Sequence, residues 1–162
     1  MDVLAEIKTP LGDGELLLRR MQAVEALSQA FDYRLQLLGE APDIAFDKLI
    51  GQGVTVTMQL PEGKRHFNGM VSRISLAGRE GRYFVYQAEV KPWLWALTRT
   101  QDCRIFQNKS VLEVVKEIFG DHSIAVHDDR TTGSYEPWVY CVQYRETDFN
   151  FVSRLLEQEG IY

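Results

Sequence analysis

Two runs of strict apolar and polar alternation constrain this chain more than anything else in its sequence. In "FDYRLQLL", Phe31, Tyr33, Leu35 and Leu37 alternate with Asp32, Arg34 and Gln36; in "VTVTMQL", Val54, Val56, Met58 and Leu60 alternate with Thr55, Thr57 and Gln59. Successive side chains of a strand point to opposite faces, so each run predicts a strand with one buried face. Pro61-Glu62-Gly63-Lys64 comes next, with proline presetting φ and glycine supplying a positive-φ position, and an extended run returns from Arg65 to Leu76. That is a hairpin, in which Asn68-Gly69 breaks the alternation and predicts a bulge or sharp bend. "AGREGR" forms the next turn, and "YFVYQAEV" leads back with Phe84, Tyr86, Ala88 and Val90 on one face. Antiparallel strands joined by short turns must close on themselves or cover their edges, which points to a small antiparallel β-barrel. The intervening "GEAPDIAFDKLIGQG" reads as a loop with at most one helical turn, near Phe46 to Leu49.

After Val90 the texture changes. "KPWLWALTRT" predicts a short, largely buried helix or turn built on Trp93, Leu94, Trp95 and Leu97. In "NKSVLEVVKEIFGD", Ser110 is an N-cap, Glu113 completes a capping box, Val111, Val114, Val115 and Ile118 form a stripe, and Gly120 falls past the end. "YCVQYRETDFNFVSRLLEQEGIY" reads as a strand, a turn and an amphipathic helix carrying Phe149, Phe151, Val152, Leu155 and Leu156, closed by Gly160. The expected class is therefore β-rich α+β: a barrel over 1–100, then part of an α/β domain over 101–162 with strand-helix-strand-helix order, the boundary lying near Thr100.

With 162 residues, 45% of them apolar, the chain can bury a core of one ordinary domain or two small ones. A formal net charge of −5 and the absence of a basic run give no electrostatic footprint for nucleic acid. No apolar window is long enough to span a bilayer, and the N-terminus lacks the pattern of a secretory signal, so the protein is expected to be made in the cytoplasm.

Candidate chemistry is sparse. His127, Asp128 and Asp129 are of metal-ligand type, but adjacent residues cannot all face one ion, and the setting "HDDRTTGSYEP" is a turn-rich loop where aspartates bond local backbone. The three histidines, His66, His122 and His127, are too few and too dispersed to point to a site by themselves. Cys103 and Cys141 form no CxxC pair and read as small buried hydrophobes; alternation puts Val139, Cys141 and Gln143 on one face and Tyr140, Val142 and Tyr144 on the other. "GQGVT" and "GREGR" do not match phosphate-loop spacing. Glu146, Asp148, Glu157 and Glu159 fit negative charge at a helix start and a solvated face rather than paired-acid hydrolysis. Trp93, Trp95 and Trp138, with Tyr83, Tyr86, Tyr135, Tyr140 and Tyr144, belong to a core or subunit interface or, alternatively, to a glycan-binding face. No catalytic, cofactor-binding or metal-binding residue is assigned, and no enzymatic activity is expected.

Read whole, "RRMQAVEALSQAFDYRLQLLGEAPDIAFDKLIGQGVTVTMQL", "HFNGMVSRI", "VKPWLWALT", "CRIFQNKSVLEVVKEIF" and "YCVQYRETDFNFVSRLLEQEGIY" resemble the N-terminal region of VgrG proteins, the trimeric spike and hub proteins of the bacterial type VI secretion system. The resemblance covers nearly the whole chain, in the family's order. It implies a region similar to the baseplate hub of contractile-tailed phages, in which a homotrimer with two barrels per subunit forms a pseudo-sixfold ring matching the hexameric, Hcp-like tail tube. It also implies baseplate and effector partners, no cofactor, and export by the apparatus without a cleaved signal. In the family a strand continues from "EGIY", so the second domain is expected to be incomplete at Tyr162 and the second barrel to lie elsewhere. The alternatives are a phage or prophage tail hub and, from another class, a cell-wall hydrolase or glycan-binding module.

Overall fold

The computed structural model describes residues 5–162, and the chain divides into two compact units, one ending at Pro92 and one running from Trp93 to Tyr162. The division precedes Thr100 because Trp93, Leu94 and Leu97, from a 3-10 helix at Trp93–Arg99, pack into the core of the second unit.

The first unit is one antiparallel sheet of six strands: β1 (Ala5–Lys8), β2 (Leu17–Val24), β3 (Asp32–Gly39), β4 (Gly53–Leu60), β5 (Gly63–Glu80) and β6 (Tyr83–Lys91), in the order β1-β4-β5-β6-β3-β2. It curls into a half-barrel. The edge strands β1 and β2 approach each other, and among the described residues no ladder joins them, so the barrel has a seam. The long strand β5 makes the curl possible by changing partners along its length. Its residues Gly63–Met70 pair with β4, and Met70–Glu80 pair with β6, with register shifts after Val71 and after Leu76.

The interior is built from the alternation: Tyr33, Leu35 and Leu37 from β3, Val54 and Val56 from β4, Val71 and Ile74 from β5, and Tyr86, Ala88 and Val90 from β6. Each large apolar side chain so buried contributes about 1.5–3 kcal/mol of transfer free energy. Tyr86 is fully buried, packs edge-on against Phe46 at 6.0 Å, and donates its hydroxyl hydrogen to the Ala41 carbonyl, tying the loop with the 3-10 turn Phe46–Lys48 to the core.

The irregularity of β5 is not at Asn68-Gly69, as the broken alternation predicts. Both residues stay in the ladder, opposite Thr55 and Val54, and Thr55 Oγ1 donates to Asn68 Oδ1 at 2.6 Å. Glycine is required at 69 for space: a Cβ there would lie 2.5 Å from Val90 Cγ1 and 3.0 Å from both the Lys91 carbonyl oxygen and Phe31 Cε2. Gly69→Ala is therefore expected to destabilise the first unit by about 1–3 kcal/mol, as overpacking does. Amide exchange of β5 and β6 measures this, and unchanged protection would contradict the packing argument.

The second unit orders β7 (Gln101–Phe106), α1 (Val111–Gly120), β8 (Cys141–Thr147) and α2 (Asp148–Gln158), with β7 and β8 paired antiparallel. The capping box forms as the sequence demands, Ser110 Oγ accepting from the Glu113 amide and the Glu113 carboxylate accepting from the Ser110 amide. Val111, Val114, Val115, Ile118 and Phe119 face Phe106, Phe151, Val152 and Leu155. Gly120 is the last helical residue, with Asp121 as a right-handed C-cap, whereas Gly160 follows α2 at φ 69°, where glycine is favoured.

A buried carboxylate and two candidate contact surfaces

Asp148, the first residue of α2, is fully buried. Its Oδ1 accepts from Gln143 Nε2 at 2.7 Å; its Oδ2 accepts from Thr100 Oγ1 at 2.8 Å and faces His122 Nε2 at 3.3 Å and Arg104 Nη2 at 3.6 Å. The Asp148 amide donates to the Thr100 carbonyl at 3.1 Å. One carboxylate thus fastens the end of the 3-10 helix, β7, β8, the segment after α1, and α2. Burial pushes this carboxyl up, but the bonds from Gln143 and Thr100 and the Arg104 charge outweigh it and hold it below the usual carboxylate range. Arg104 is itself bound to Asp102 at 2.8 Å and Asp121 at 3.0 Å.

The placement depends on a bulge in β8. Cys103 pairs with Tyr144 and Asp102 with Glu146, leaving Arg145 as the extra residue with φ 51°. A bulge bends its strand and re-aims the side chains beyond it. Thr147 then caps α2, accepting from the Asn150 amide at 3.2 Å.

From sequence alone Asp148 reads as part of a charged helix start, and its burial is overlooked. The signal is present: Asp148, Phe151, Val152 and Leu155 are spaced i, i+3, i+4, i+7, so the carboxylate lies on the apolar stripe. Glu146 instead binds Arg154, Oε1 to Nη2 at 2.8 Å, and Glu157 is exposed. The four acids do not converge.

The other singled-out residues have local partners. Asp129 is held well below the usual range, first by Lys116 at 2.7 Å and then by the Thr131 hydroxyl and amide, in an Asx-type turn; Asp128 pairs with Arg130 at 2.6 Å. His127 packs edge-on against Phe119 at 5.1 Å, and His66 Nδ1 meets Thr57 Oγ1 at 3.0 Å. Cys141 is buried, which pushes its thiol up, but Cys103 is exposed, contrary to the reading of both as buried. Trp93 and Trp138 serve the second core, and Trp93 Nε1 donates to the Val126 carbonyl at 2.6 Å.

Among the described residues, two exposed surfaces are candidates for contact. The outer face of the β7-β8 ribbon carries the cross-strand pairs Cys103-Tyr144 and Ile105-Val142, with Ile105 63% and Tyr144 65% exposed. Exposed apolar clusters of this kind mark contact surfaces. On the outer face of the barrel sheet the register places Gln22, Arg34, Glu89 and Arg73 in one cross-strand row and Arg20, Gln36, Gln87 and Ser75 in the next, with Leu17, Leu38 and Val85 in the row beyond.

A curled antiparallel half-barrel is followed in sequence by a small α+β unit. Residues 24–162 match the family model described as phage tail baseplate hub (GPD). The chain belongs to the phage tail baseplate hub family. It is 46% identical over 160 residues to the type VI secretion system spike proteins VgrG1b and VgrG1a of Pseudomonas aeruginosa, covering 98% of this chain and 22% and 25% of theirs. The chain thus spans about a quarter of the length of these curated relatives. Among solved structures, an Escherichia coli protein, c3393, described as a type VI secretion component similar to the T4 tail proteins gp27 and gp5, matches with TM-score 0.71 and 25% identity, over 87% of this chain and 42% of that one. A 43 kDa tail protein of prophage MuSo2 from Shewanella oneidensis shares the fold, with TM-score 0.57 and 18% identity, over 96% of this chain and 48% of that one.

Proposed function

We propose that this chain is the hub portion of a type VI secretion spike, joining the end of a hexameric tail tube to a puncturing needle carried by the rest of the protein. The observation that carries the reading is 46% identity along 98% of the chain to proteins named as secretion spikes, against 18% to the prophage tail protein. The half-barrel supports it, because a strand sheet offers many directional contacts that resist shear between stacked rings.

On this reading the partners are two further copies of the protein, an Hcp-like tube, baseplate proteins and effectors. It acts without making or breaking bonds in a substrate. It is made in the cytoplasm and leaves with the apparatus; among the described residues no helix is long and apolar enough to cross a membrane.

Deleting the native gene tests this. Export of the tube protein into the medium is expected to stop and to return with the intact gene. Undiminished export would overturn the secretion reading, and peptidoglycan release by the purified chain, lost in Glu146→Gln, would favour the hydrolase instead.

A further inference from the structure

We propose that the two polar rows on the outer face of the barrel sheet form a binding groove for an extended, carboxylate-rich segment of a partner protein. Arg20, Arg34, Arg73 and Glu89, with Gln36 and Gln87, line a groove of about 400 Å³ that crosses β2, β3, β6 and β5. Adjacent strands stand about 4.8 Å apart, so each row spans roughly 14 Å. That length matches about four residues of an extended chain.

The charges are unevenly satisfied. Arg20 has no ion-pair partner among the described residues, and Arg34 reaches Asp32 only at 3.7 Å, while Asp32 is engaged more closely by Lys91 at 3.0 Å. Arg73 reaches Glu89 at 3.9 Å. The side chains of Arg34 and Arg73 are 69% and 73% exposed. Within the rows three guanidiniums therefore face one carboxylate, on a chain whose net charge is −5.

Guanidinium forks match carboxylates in geometry as well as charge. Gln22, Gln36, Gln87 and Ser75 beside them supply donors and acceptors suited to peptide amides. The outward side chains of the two rows include no aliphatic or aromatic anchor; the apolar side chains Leu17, Leu38 and Val85 stand in the row beyond, so the arginine rows themselves offer an amphipathic helix nothing to bury. The same face of a second copy would oppose like charges, which disfavours a twofold contact. Charge complementarity selects an acidic segment.

The test is an NMR titration of the chain with acetylated, amidated hexaglutamate. Saturable shifts are expected at the amides of Gln22, Arg34, Gln36, Arg73 and Gln87. The triple variant R20Q/R34Q/R73Q, altered at surface positions only, is expected to keep its amide spectrum and to bind at least roughly tenfold more weakly. Raising salt from about 0.05 M to about 0.5 M should also weaken binding, because the Debye length shrinks below the row spacing. Glu89→Gln, which removes the competing carboxylate, should tighten it. Absence of saturable shifts, equal affinity in the triple variant, or equal binding of hexaglutamine or inorganic phosphate would overturn the proposal. No tail tube protein enters the measurement, so its outcome is independent of the hub reading.

Discussion

Asp148→Ala is expected to destabilise the second unit by at least about 1–3 kcal/mol, the cost of leaving a buried hydrogen-bonding group unsatisfied. The loss leaves Gln143 Nε2 and Thr100 Oγ1 without their acceptor and removes the innermost negative charge facing Arg104. Asp148→Asn keeps an oxygen for Thr100 but not the charge, and should fall between the alanine variant and the natural protein. Trp93, Trp95 and Trp138, the three tryptophans, all lie in this unit, so urea unfolding followed by tryptophan fluorescence reads it directly. A change below about 1 kcal/mol, the size of an ordinary surface effect, would mean that the carboxylate is not a fastening point.

The same group sets an acid dependence. Its folded-state pKa is depressed, so its contribution is fully present above the unfolded-state value of about 3.9 and is lost as pH falls through the lower folded-state value. The stability gap between natural protein and Asp148→Asn should therefore be constant near neutrality and shrink below about pH 4.

Tyr86→Ala is expected to cost the first unit about 3–5 kcal/mol, as truncation of a buried aromatic does. The ring is fully buried in the core of the first unit, and its hydroxyl holds the Ala41 carbonyl in the β3-β4 loop. Tyr86→Phe keeps the packing and should cost only about 1 kcal/mol, the net value of one hydrogen bond. Amide exchange across β3 and β6 distinguishes the two, and equal loss in both variants would contradict the primacy of packing.

Alternation reveals β3, β4 and β6 because each buries one face and wets the other, so the pattern is written in the residues themselves. The edge strand β2, "LLRRMQAV", leaves no such trace, since only Leu18 and Met21 are partly covered and the strand has little to bury. Alternation also fails at Val139, which precedes β8 and is 80% exposed, while Cys141 and Gln143 point inward as it requires. Gly69 shows a different limit: a glycine needed for space and a glycine needed for a bend read alike until the neighbouring Val90 and Phe31 are in place. The capping box around Ser110 is fully legible because all of its atoms lie within one turn. The Asp148 cluster is only half legible. Its position on the stripe is local, but its partners Thr100, Arg104, His122 and Gln143 are brought together by the β7-β8 pairing and the bulge at Arg145. The arginine rows likewise arise only from register across four strands.

The most direct test of the hub account is electron cryo-microscopy of the native full-length protein mixed with tail tube rings from the same cell. The account predicts a threefold assembly seated on the end of a ring, with half-barrels at the contact. Rings left bare at saturating concentration, or bound through the α+β unit alone with the barrels facing away, would contradict it.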